Sequence, residues 1–553
     1  MSMNPGTSSG RVLSVREATF GLLRDLGLTT VFGNPGSTEE TFLKNFPDDF
    51  RFVLALQEAS VIAIADGFAQ ATRAPALVNV HTATGLGNAM GNLMTCFLNR
   101  TPLIVTAGQQ DRRMLLLEPW LTDVEPAVQP RPWVKWAYQP ARAQDVPAAF
   151  MRAYATAIQP PAGPVFLSLP LDDWQAPALG PAVVRSASAR IGPDPARVRL
   201  VADAIAAAER PVLIFGAAVA RGSGWDQAVA LAEKMDAPVW AAPSCERAPF
   251  PEDHPLYRGG LPFAIGPLAR HLDGHDLAVV VGAPVFRYYP YIPGDYLPHG
   301  LRLWHVTDDP GEAGRAPVGD SVLGDPVLTI EQLLSLVPQG TRTTPMEPPP
   351  LPHRMSPLPQ TSAATHPTGQ RHARQIFDEL RRLCPADAVL VEETPSNLGD
   401  LHAAWPITQP DAFYTMASGG LGWGAPASVG IALAERDSER NRLVVMVIGD
   451  GSFQYSLQSI WTAARLRLPV LFVVLRNGEY AILKAFAEVE DSPGVPGLDI
   501  PDIDIVSLAR GYGCHAARAE TFETLRSEID AAAKRNAPTV LEVPIAATVP
   551  PLL

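Results

Sequence analysis

The stretch that decides the fold is LVVMVIGDGS at residues 443–452, together with LPVLFVVLRNG at residues 468–478. Each begins as a continuous apolar run, which is typical of a strand buried on both faces of a parallel sheet. Residues 456–466 between them have a helix-like pattern, so the segment predicts a strand, a helix and a second strand in a right-handed βαβ unit. The carboxyl ends of the two strands would then lie side by side.

Two oxygen-bearing side chains stand at these strand ends. Asp450 follows the first strand and Asn477 follows the second, and open α/β folds bind ligands at the carboxyl ends of their strands. Carboxylate and amide oxygens suit Mg²⁺, which takes few protein ligands and completes its shell with phosphate and water. Gly449 and Gly451 would let a diphosphate approach backbone N–H groups. Taken alone, the GDGS motif is equally typical of a tight strand-to-helix turn without a ligand.

A second group of polar residues stands near the amino terminus. Ser37, Glu58 and His81 each lie at or just after the end of an apolar, strand-like run. In a parallel sheet these ends form one rim, so the three residues are predicted to cluster although they are far apart in sequence. Taken singly, Ser37 is equally typical of a helix cap, Glu58 of a solvated charge and His81 of a histidine under a loop.

Together these motifs resemble the thiamine-diphosphate-dependent 2-oxo acid decarboxylases, most closely the benzoylformate decarboxylase branch. The resemblance covers nearly the whole chain and includes matching stretches at residues 31–37, 54–59, 102–110, 282–288 and 419–422. It is highly specific for the cofactor and less specific for the substrate. It implies an enzyme that binds thiamine diphosphate with Mg²⁺, or Ca²⁺ in its place, and releases carbon dioxide and an aldehyde from a 2-oxo acid.

The resemblance also implies roles for individual residues. Glu58 would contact the cofactor pyrimidine and activate it, while Ser37 and His81 would meet the substrate carboxylate and shuttle protons. Asp450 and Asn477 would give side-chain oxygens to the metal, and Glu479 would give its backbone carbonyl. The other implied cofactor contacts are Gly419, the apolar wedge Leu421, Gly449, Gly451, Ser452, Tyr455 and Tyr480.

The substrate pocket is where this chain departs from the family. Tyr289 stands where benzoylformate decarboxylases carry a second active-site histidine, and a phenol exchanges its proton poorly at neutral pH, where imidazole titrates. Ile482 and Trp120 are bulkier than the matching residues, so we expect a narrower or reshaped acyl pocket. The implied pocket residues are Ser37, His81, Trp120, Leu121, Tyr289, Ile482 and Phe486.

Length and composition agree with a large α/β enzyme. A chain of 553 residues that is 47% hydrophobic predicts about three domains. The net charge of −13, without a Lys/Arg cluster, argues against nucleic-acid and membrane partners. The four cysteines lack the spacing of a disulfide framework or zinc site. No apolar run approaches the roughly 18 residues of a membrane span, so we expect a soluble, cytoplasmic protein.

The distribution of apolar runs predicts three doubly wound parallel-sheet domains, at residues 1–180, 190–340 and 372–553. Residues 341–371 are rich in proline and predict an extended linker. The resemblance implies that the first domain binds the pyrimidine and the third the diphosphate of one cofactor. In this family those domains come from different subunits, so the resemblance implies a homo-oligomer, at least a dimer and by analogy a tetramer.

Three alternative functions stay open. A carboligase or C–C lyase on the same scaffold would form or cleave 2-hydroxy ketones with an acceptor aldehyde, and Tyr289 favours it because slow protonation leaves time for the aldehyde to react. A non-catalytic cofactor-binding subunit is a remote alternative, against which the set Glu58, Ser37 and His81 argues. A flavin-dependent oxidase would need a dinucleotide fingerprint, and the central domain shows no convincing one.

Overall fold

The computed structural model describes residues 12–339 and 371–550. Within these residues the strands form three six-stranded sheets, and each strand pairs in parallel with its neighbours. Helices alternate with the strands along the chain, which confirms the predicted doubly wound parallel sheets. The predicted linker at residues 341–371 lies outside the described residues, apart from Arg371.

The first sheet belongs to a compact unit formed by residues 12–69 and 74–188. Its strands are β1 Thr30–Gly33, β2 Arg51–Leu54, β3 Ala76–Val80, β4 Leu103–Gln109, β5 Ala137–Tyr138 and β6 Val165–Pro170. The helices are α1 Val15–Asp25, α2 Glu40–Leu43, α3 Glu58–Thr72, α4 Thr82–Leu98 and α5 Val146–Ile158. The spatial order is β2-β1-β3-β4-β6-β5, so the loops after β1, β2 and β3 meet at one edge.

The second sheet has the spatial order β12-β11-β10-β7-β8-β9. Its strands are β7 Pro211–Phe215, β8 Val239–Ala241, β9 Tyr257–Gly260, β10 Leu277–Val281, β11 Arg302–Thr307 and β12 Asp320–Leu323. The helices are α6 Pro195–Ala207, α7 Ala217–Arg221, α8 Trp225–Met235, α9 Ile265–His271, α10 Pro310–Arg315 and α11 Pro326–Leu336.

The second sheet is tightly packed where strand order reverses, between β7 and β10. A Cβ added to Gly216 would lie 2.3 Å from both the Gly282 carbonyl oxygen and the Ala283 Cβ. Ligands of open α/β sheets bind at such a reversal point. A side chain at residue 216 would therefore clash with the turn that follows β10.

The third sheet has the spatial order β14-β13-β15-β16-β18-β17. Its strands are β13 Val389–Glu393, β14 Phe413–Tyr414, β15 Val444–Gly449, β16 Val470–Arg476, β17 His515–Arg518 and β18 Thr539–Pro544. The helices are α12 Ala373–Leu383, α13 Leu398–Ala404, α14 Gly424–Asp437, α15 Asp450–Phe453, α16 Ser459–Leu466, α17 Ala481–Val489, α18 Ile505–Gly511 and α19 Phe522–Ala532.

The βαβ unit predicted from the opening stretch is present in this third sheet. β15 and β16 are parallel neighbours, with Val444 opposite Val470. The helix between them begins at Ser459 rather than at the predicted residue 456, because the short helix α15 and a turn first occupy residues 450–458. The two strands therefore end side by side at one edge of the sheet.

The second and third sheets share one compact unit, to which the described residues 70–73, 189–339 and 371–550 belong. Trp225 and Ala248, from the second-sheet region, belong to the same apolar core cluster as Trp405 and Phe413 of the third. This shared core explains why the two regions form one unit. The domain limits given above from the sequence stay predictions.

Two further observations concern a possible membrane crossing and the reactivity of the cysteines. Among the described residues, no helix combines the length and the apolar character that a bilayer crossing requires. The four cysteines are free thiols, and burial raises the pKa of Cys245, Cys384 and Cys514 to about 12. Thiols with such raised pKa values are poorly reactive at neutral pH.

Candidate functional site

Three of the predicted residues meet at the carboxyl edge of the first sheet. Ser37 lies in the turn after β1, Glu58 begins α3 after β2, and His81 follows β3. These strands are neighbours, with β1 in the middle. A Cβ added to Gly85 would lie 3.3 Å from Glu58 Cγ and 3.4 Å from His81 Cβ. Glu58 and His81 therefore lie close together, and exposed Ser37 follows Gly36, whose backbone packs on the His81 ring.

Glu58 is held by two neutral amides. Asn34 Nδ2 donates to Oε1 and Asn88 Nδ2 donates to Oε2, each at 3.1 Å. The residue is 7% exposed, so its carboxylate is largely withdrawn from water. An ionised carboxylate has about four acceptor positions, which leaves capacity for a further donor. This geometry fits the predicted contact with a cofactor pyrimidine.

Glu39, which was not predicted from the sequence, pairs with His81. Its Oε2 lies 2.8 Å from His81 Nδ1 and also accepts the Gly36 N–H at 2.8 Å. Its Oε1 accepts the Gly108 N–H at 2.7 Å. The residue is only 1% exposed. Because an ionised carboxylate can only accept, the shared proton of this pair belongs to His81 Nδ1.

Asp450 joins the two loops that follow β15 and β16. Its Oδ1 accepts the Gly451 N–H at 2.9 Å, and its Oδ2 accepts the Gly478 N–H at 2.8 Å. Burial raises the pKa of Asp450 above its ordinary value, although these backbone bonds oppose the shift. Asn477 Oδ1 accepts the Glu479 N–H at 3.2 Å in the second loop. The three predicted metal ligands therefore lie in two directly connected loops.

The chemistry of these ligands fits a hard divalent cation. In the described ranges there is no cluster of three or more His, Cys, Asp or Glu side chains arranged for a metal. The predicted ligands are of another kind, combining one carboxylate, one amide oxygen and one carbonyl oxygen, which suit Mg²⁺ or Ca²⁺. Asp450 is 4% exposed, and a bound cation would stabilise its buried charge.

The loop beside Asp450 requires glycine at one position. A Cβ added to Gly451 would lie 2.4 Å from Cε1 of Tyr480, so the ring lies directly over the backbone of α15. Burial and a hydrogen bond to Tyr455 raise the pKa of the Tyr480 phenol. Seven of the predicted cofactor contacts thus lie at or just after the ends of β15 and β16: Gly449, Asp450, Gly451, Ser452, Tyr455, Asn477 and Tyr480.

Gly419 and Leu421 lie in the loop between β14 and α14. Gly419 has a φ of 71° and Gly422 a φ of 101°, a backbone region that favours glycine. A Cβ added to Gly422 would lie 2.7 Å from Tyr455 Cβ, and Ser456 Oγ donates to the Gly422 carbonyl at 2.7 Å. These contacts place the loop that carries Leu421 against the turn that follows α15.

The predicted pocket residues are only partly brought together. The Tyr289 ring, from the loop after β10, has its centroid 5.0 Å from that of Phe486 in α17. Ile482 lies one helical turn before Phe486 on the same face. Trp120 and Leu121 lie in the first unit and are 93% and 45% exposed, so neither is packed into a core. Tyr289 is itself 66% exposed.

Comparison with known proteins gives consistent results along the chain. Three models of the thiamine pyrophosphate enzyme family match: the N-terminal TPP binding domain at residues 13–126, the central domain at 198–333 and the C-terminal TPP binding domain at 397–543. A benzoylformate decarboxylase of Pseudomonas aeruginosa is 45% identical over 536 residues, which cover 96% of this chain and 98% of the relative.

Two solved structures are similar over their whole length. Benzoylformate decarboxylase from Polynucleobacter necessarius has 51% identity and a TM-score of 0.92, covering 97% of this chain and 99% of its own. A thiamine diphosphate-dependent 4-hydroxybenzoylformate decarboxylase from Rhodococcus jostii RHA1 has 42% identity and a TM-score of 0.90, with 97% and 99% coverage.

Gly36→Ala should displace the His81 imidazole, because the new Cβ would lie 2.2 Å from Nδ1. Overpacking of this kind costs about 1–3 kcal/mol, and the pair with Glu39 should open. Gly87→Ala is the control, since its Cβ would meet Gln129 Nε2 at an ordinary 3.7 Å. Thermal unfolding and crystal structures of both variants measure the effect. An unmoved ring at parental stability would contradict the expected crowding.

Proposed function

The chain belongs to the thiamine-diphosphate-dependent 2-oxo acid decarboxylases similar to benzoylformate decarboxylase, and we propose that its preferred substrates are aryl 2-oxo acids and that its metal is Mg²⁺. The substrate proposal is supported by the names of two relatives, which specify benzoylformate and 4-hydroxybenzoylformate. The observation that carries the proposed site is the buried Glu58, held by neutral amides at the same sheet edge as His81.

The proposed binding residues follow from the two loops of the third sheet. Asp450, Asn477 and the Glu479 carbonyl would hold Mg²⁺, and the N–H groups near Gly451 would face the diphosphate. Leu421 would support the cofactor between its two rings. When bound, thiamine diphosphate supplies the electron sink that takes up the electron pair left by departing carbon dioxide.

The proposed proton chemistry uses residues of the first sheet. Glu58 would hold a proton at the pyrimidine N1′, because its carboxylate is buried and still has acceptor capacity. His81 would exchange a proton at Nε2, since Glu39 binds Nδ1 at 2.8 Å. Ser37 is exposed beside them, and its hydroxyl would donate to the substrate carboxylate.

Carboligation is the second candidate, and Tyr289 is the residue that favours it. Its phenol is beside Phe486, in the position where the resemblance implies a histidine. A phenol has an unperturbed pKa near 10, so it is a slow proton donor at neutral pH. Slow protonation would let an acceptor aldehyde compete for the acyl group and would yield a 2-hydroxy ketone.

We also propose a homo-oligomer, at least a dimer and by analogy a tetramer. The segment after β4 exposes large apolar side chains to solvent: Met114 at 43%, Leu116 at 93%, Leu117 at 69%, Trp120 at 93% and Val124 at 64%. So many exposed large apolar side chains within a short segment are uncommon on a monomer, and a second copy of the chain would cover them. Free thiols at all four cysteines are consistent with a cytoplasmic location, which we propose too.

A panel of 2-oxo acids tests the proposed activity. Aryl acids such as benzoylformate should be turned over with a higher kcat/KM than pyruvate or branched aliphatic acids, and carbon dioxide and aldehyde should form in equal amounts. Chelation of divalent metal should abolish the activity, and added Mg²⁺ should restore it. Preference for an aliphatic acid would refute the substrate class, and turnover without divalent metal would refute the metal.

Glu58→Gln should keep the cofactor bound but lower turnover by about 10²–10⁴-fold, because an amide cannot exchange a proton with the pyrimidine N1′. Asp450→Ala should instead weaken metal and cofactor binding together. Each variant is dialysed, and retained cofactor and turnover are measured on the same sample. Parental turnover in Glu58→Gln would show that Glu58 does not activate the cofactor. Full cofactor retention in Asp450→Ala would show that Asp450 is not a metal ligand.

Tyr289→His should shift products from 2-hydroxy ketone toward free aldehyde, since general-acid catalysis is worth about 10²–10⁴-fold. Tyr291→His is the matched control, because Tyr291 is 79% exposed two residues further along. Both variants are compared with the parent on one accepted acid, with and without acceptor aldehyde. Equal partitioning in all three proteins would mean that Tyr289 is a packing residue and that another group carries the proton.

A further inference from the structure

Two consecutive glutamates end strand β13 and are both buried. Glu392 is 4% exposed and Glu393 is fully buried. Consecutive residues of a strand point to opposite faces of a sheet, so the two carboxylates leave β13 in different directions. Carboxylates are rarely buried without a partner, and each of these two has a partner in the segment 415–424. That segment carries Gly419 and Leu421.

Glu392 holds the beginning of this segment. Its Oε2 accepts the Thr415 hydroxyl at 2.8 Å, and its backbone carbonyl lies 3.0 Å from the same hydroxyl. Its Oε1 accepts the hydroxyl of Thr394 at 2.9 Å and is also bonded to the Thr394 N–H. A third contact fixes this end, since the Thr415 N–H donates to the Glu246 carbonyl at 3.0 Å.

Glu393 holds the end of the segment. Its Oε1 accepts the Gly422 N–H at 2.7 Å and its Oε2 accepts the Gly424 N–H at 2.6 Å. These distances are in the short range of charge-assisted hydrogen bonds. One N–H group belongs to Gly422, just before α14, and the other to Gly424, its first residue. One carboxylate therefore fixes the path by which the chain enters that helix. A Cβ on Gly424 would approach Glu393 Oε2 to 3.0 Å.

Retaining Glu393 at this place has an energetic cost that a neutral side chain would avoid. Burial raises its pKa to about 7, although the N–H groups of Gly422 and Gly424 pull the pKa down and Glu392 raises it further. In the described part of the chain no lysine or arginine forms an ion pair with Glu393. Its charge is therefore stabilised by the backbone of this one segment.

We propose that Glu392 and Glu393 are positioning residues that hold the two ends of the segment 415–424, and through it Gly419 and Leu421, in the geometry that receives thiamine diphosphate. The proposal rests on the proposed cofactor contacts of Gly419 and Leu421. Neither glutamate needs to touch the cofactor, because each acts through the backbone between them. The fixed segment would pre-form its part of the site and lower the conformational cost of binding.

Hydrogen exchange and cofactor binding together test this arrangement in the full-length protein. Exchange of the amides of residues 420–424 is measured with and without thiamine diphosphate, and the cofactor dissociation constant is measured by calorimetry at fixed Mg²⁺. In Glu393→Gln one of the two glycine N–H groups loses its acceptor, so exchange at residues 422–424 should accelerate about tenfold or more. Cofactor affinity should fall by about the same factor.

Two further variants separate positioning from charge and from general stability. Glu393→Asp keeps the charge but shortens the reach, so it should also accelerate exchange at Gly422 and Gly424. Glu435→Gln is the matched control, because Glu435 is 1% exposed and pairs with Arg442 at the far end of α14. It should lower the melting temperature without changing exchange at residues 420–424 or cofactor affinity.

The possible outcomes distinguish this proposal from the proposed function. Parental exchange at residues 422–424 and parental affinity in Glu393→Gln would overturn the positioning role, as would equal effects in Glu435→Gln. If Glu393→Gln does not fold, Glu393→Asp and Glu392→Gln decide, since each should loosen one end of the segment. If the parent itself binds no thiamine diphosphate, the proposed function fails, and exchange in the cofactor-free variants still tests whether the glutamates hold the segment.

Discussion

Burial of carboxylates at the carboxyl edges of two parallel sheets is the constraint on which the rest of the site depends. Four of these carboxylates are each less than 10% exposed: Glu39, Glu58, Glu393 and Asp450. Their hydrogen-bond donors are mainly backbone N–H groups and side-chain amides. Such donors stabilise the negative charge without cancelling it. At Asp450, a bound divalent cation would complete the stabilisation of this buried charge.

Backbone donors also dictate glycine at strand ends and in the turns beside them. An N–H group can reach a carboxylate at 2.6–2.8 Å only if nothing stands between them, and a Cβ on Gly108 would lie 2.2 Å from Glu39 Oε1. The same holds at Gly36, where a Cβ would enter the His81 ring. Because a loop so constrained has one available path, the side chains that it carries are fixed before a ligand arrives.

The fold and the outline of the site could be predicted from the sequence because both follow from local signals. Continuous apolar runs marked the strands, and polar residues at their ends marked the edge, which is how Glu58 and Asp450 were found. Glu39 and Glu393 were missed, since a glutamate beginning a helix or ending a strand is ordinary in sequence. Their partners lie far away along the chain, as Gly108 does for Glu39, and such pairs need tertiary structure to be seen.

The difference between residues that contact buried carboxylates and residues held by apolar contact indicates where substrate specificity can change. Side chains that donate to a buried carboxylate, as Asn34 and Asn88 do to Glu58, are costly to change, because each change removes one donor and an unsatisfied buried group costs about 1–3 kcal/mol. Tyr289 and Phe486 are held by ring contact, and substitutions of similar volume in apolar contacts usually cost less than about 1.5 kcal/mol. Changes at this aromatic surface would therefore disturb the rest of the site less than changes beside the buried carboxylates. Tyr289, at which the resemblance implies a histidine, lies on this surface.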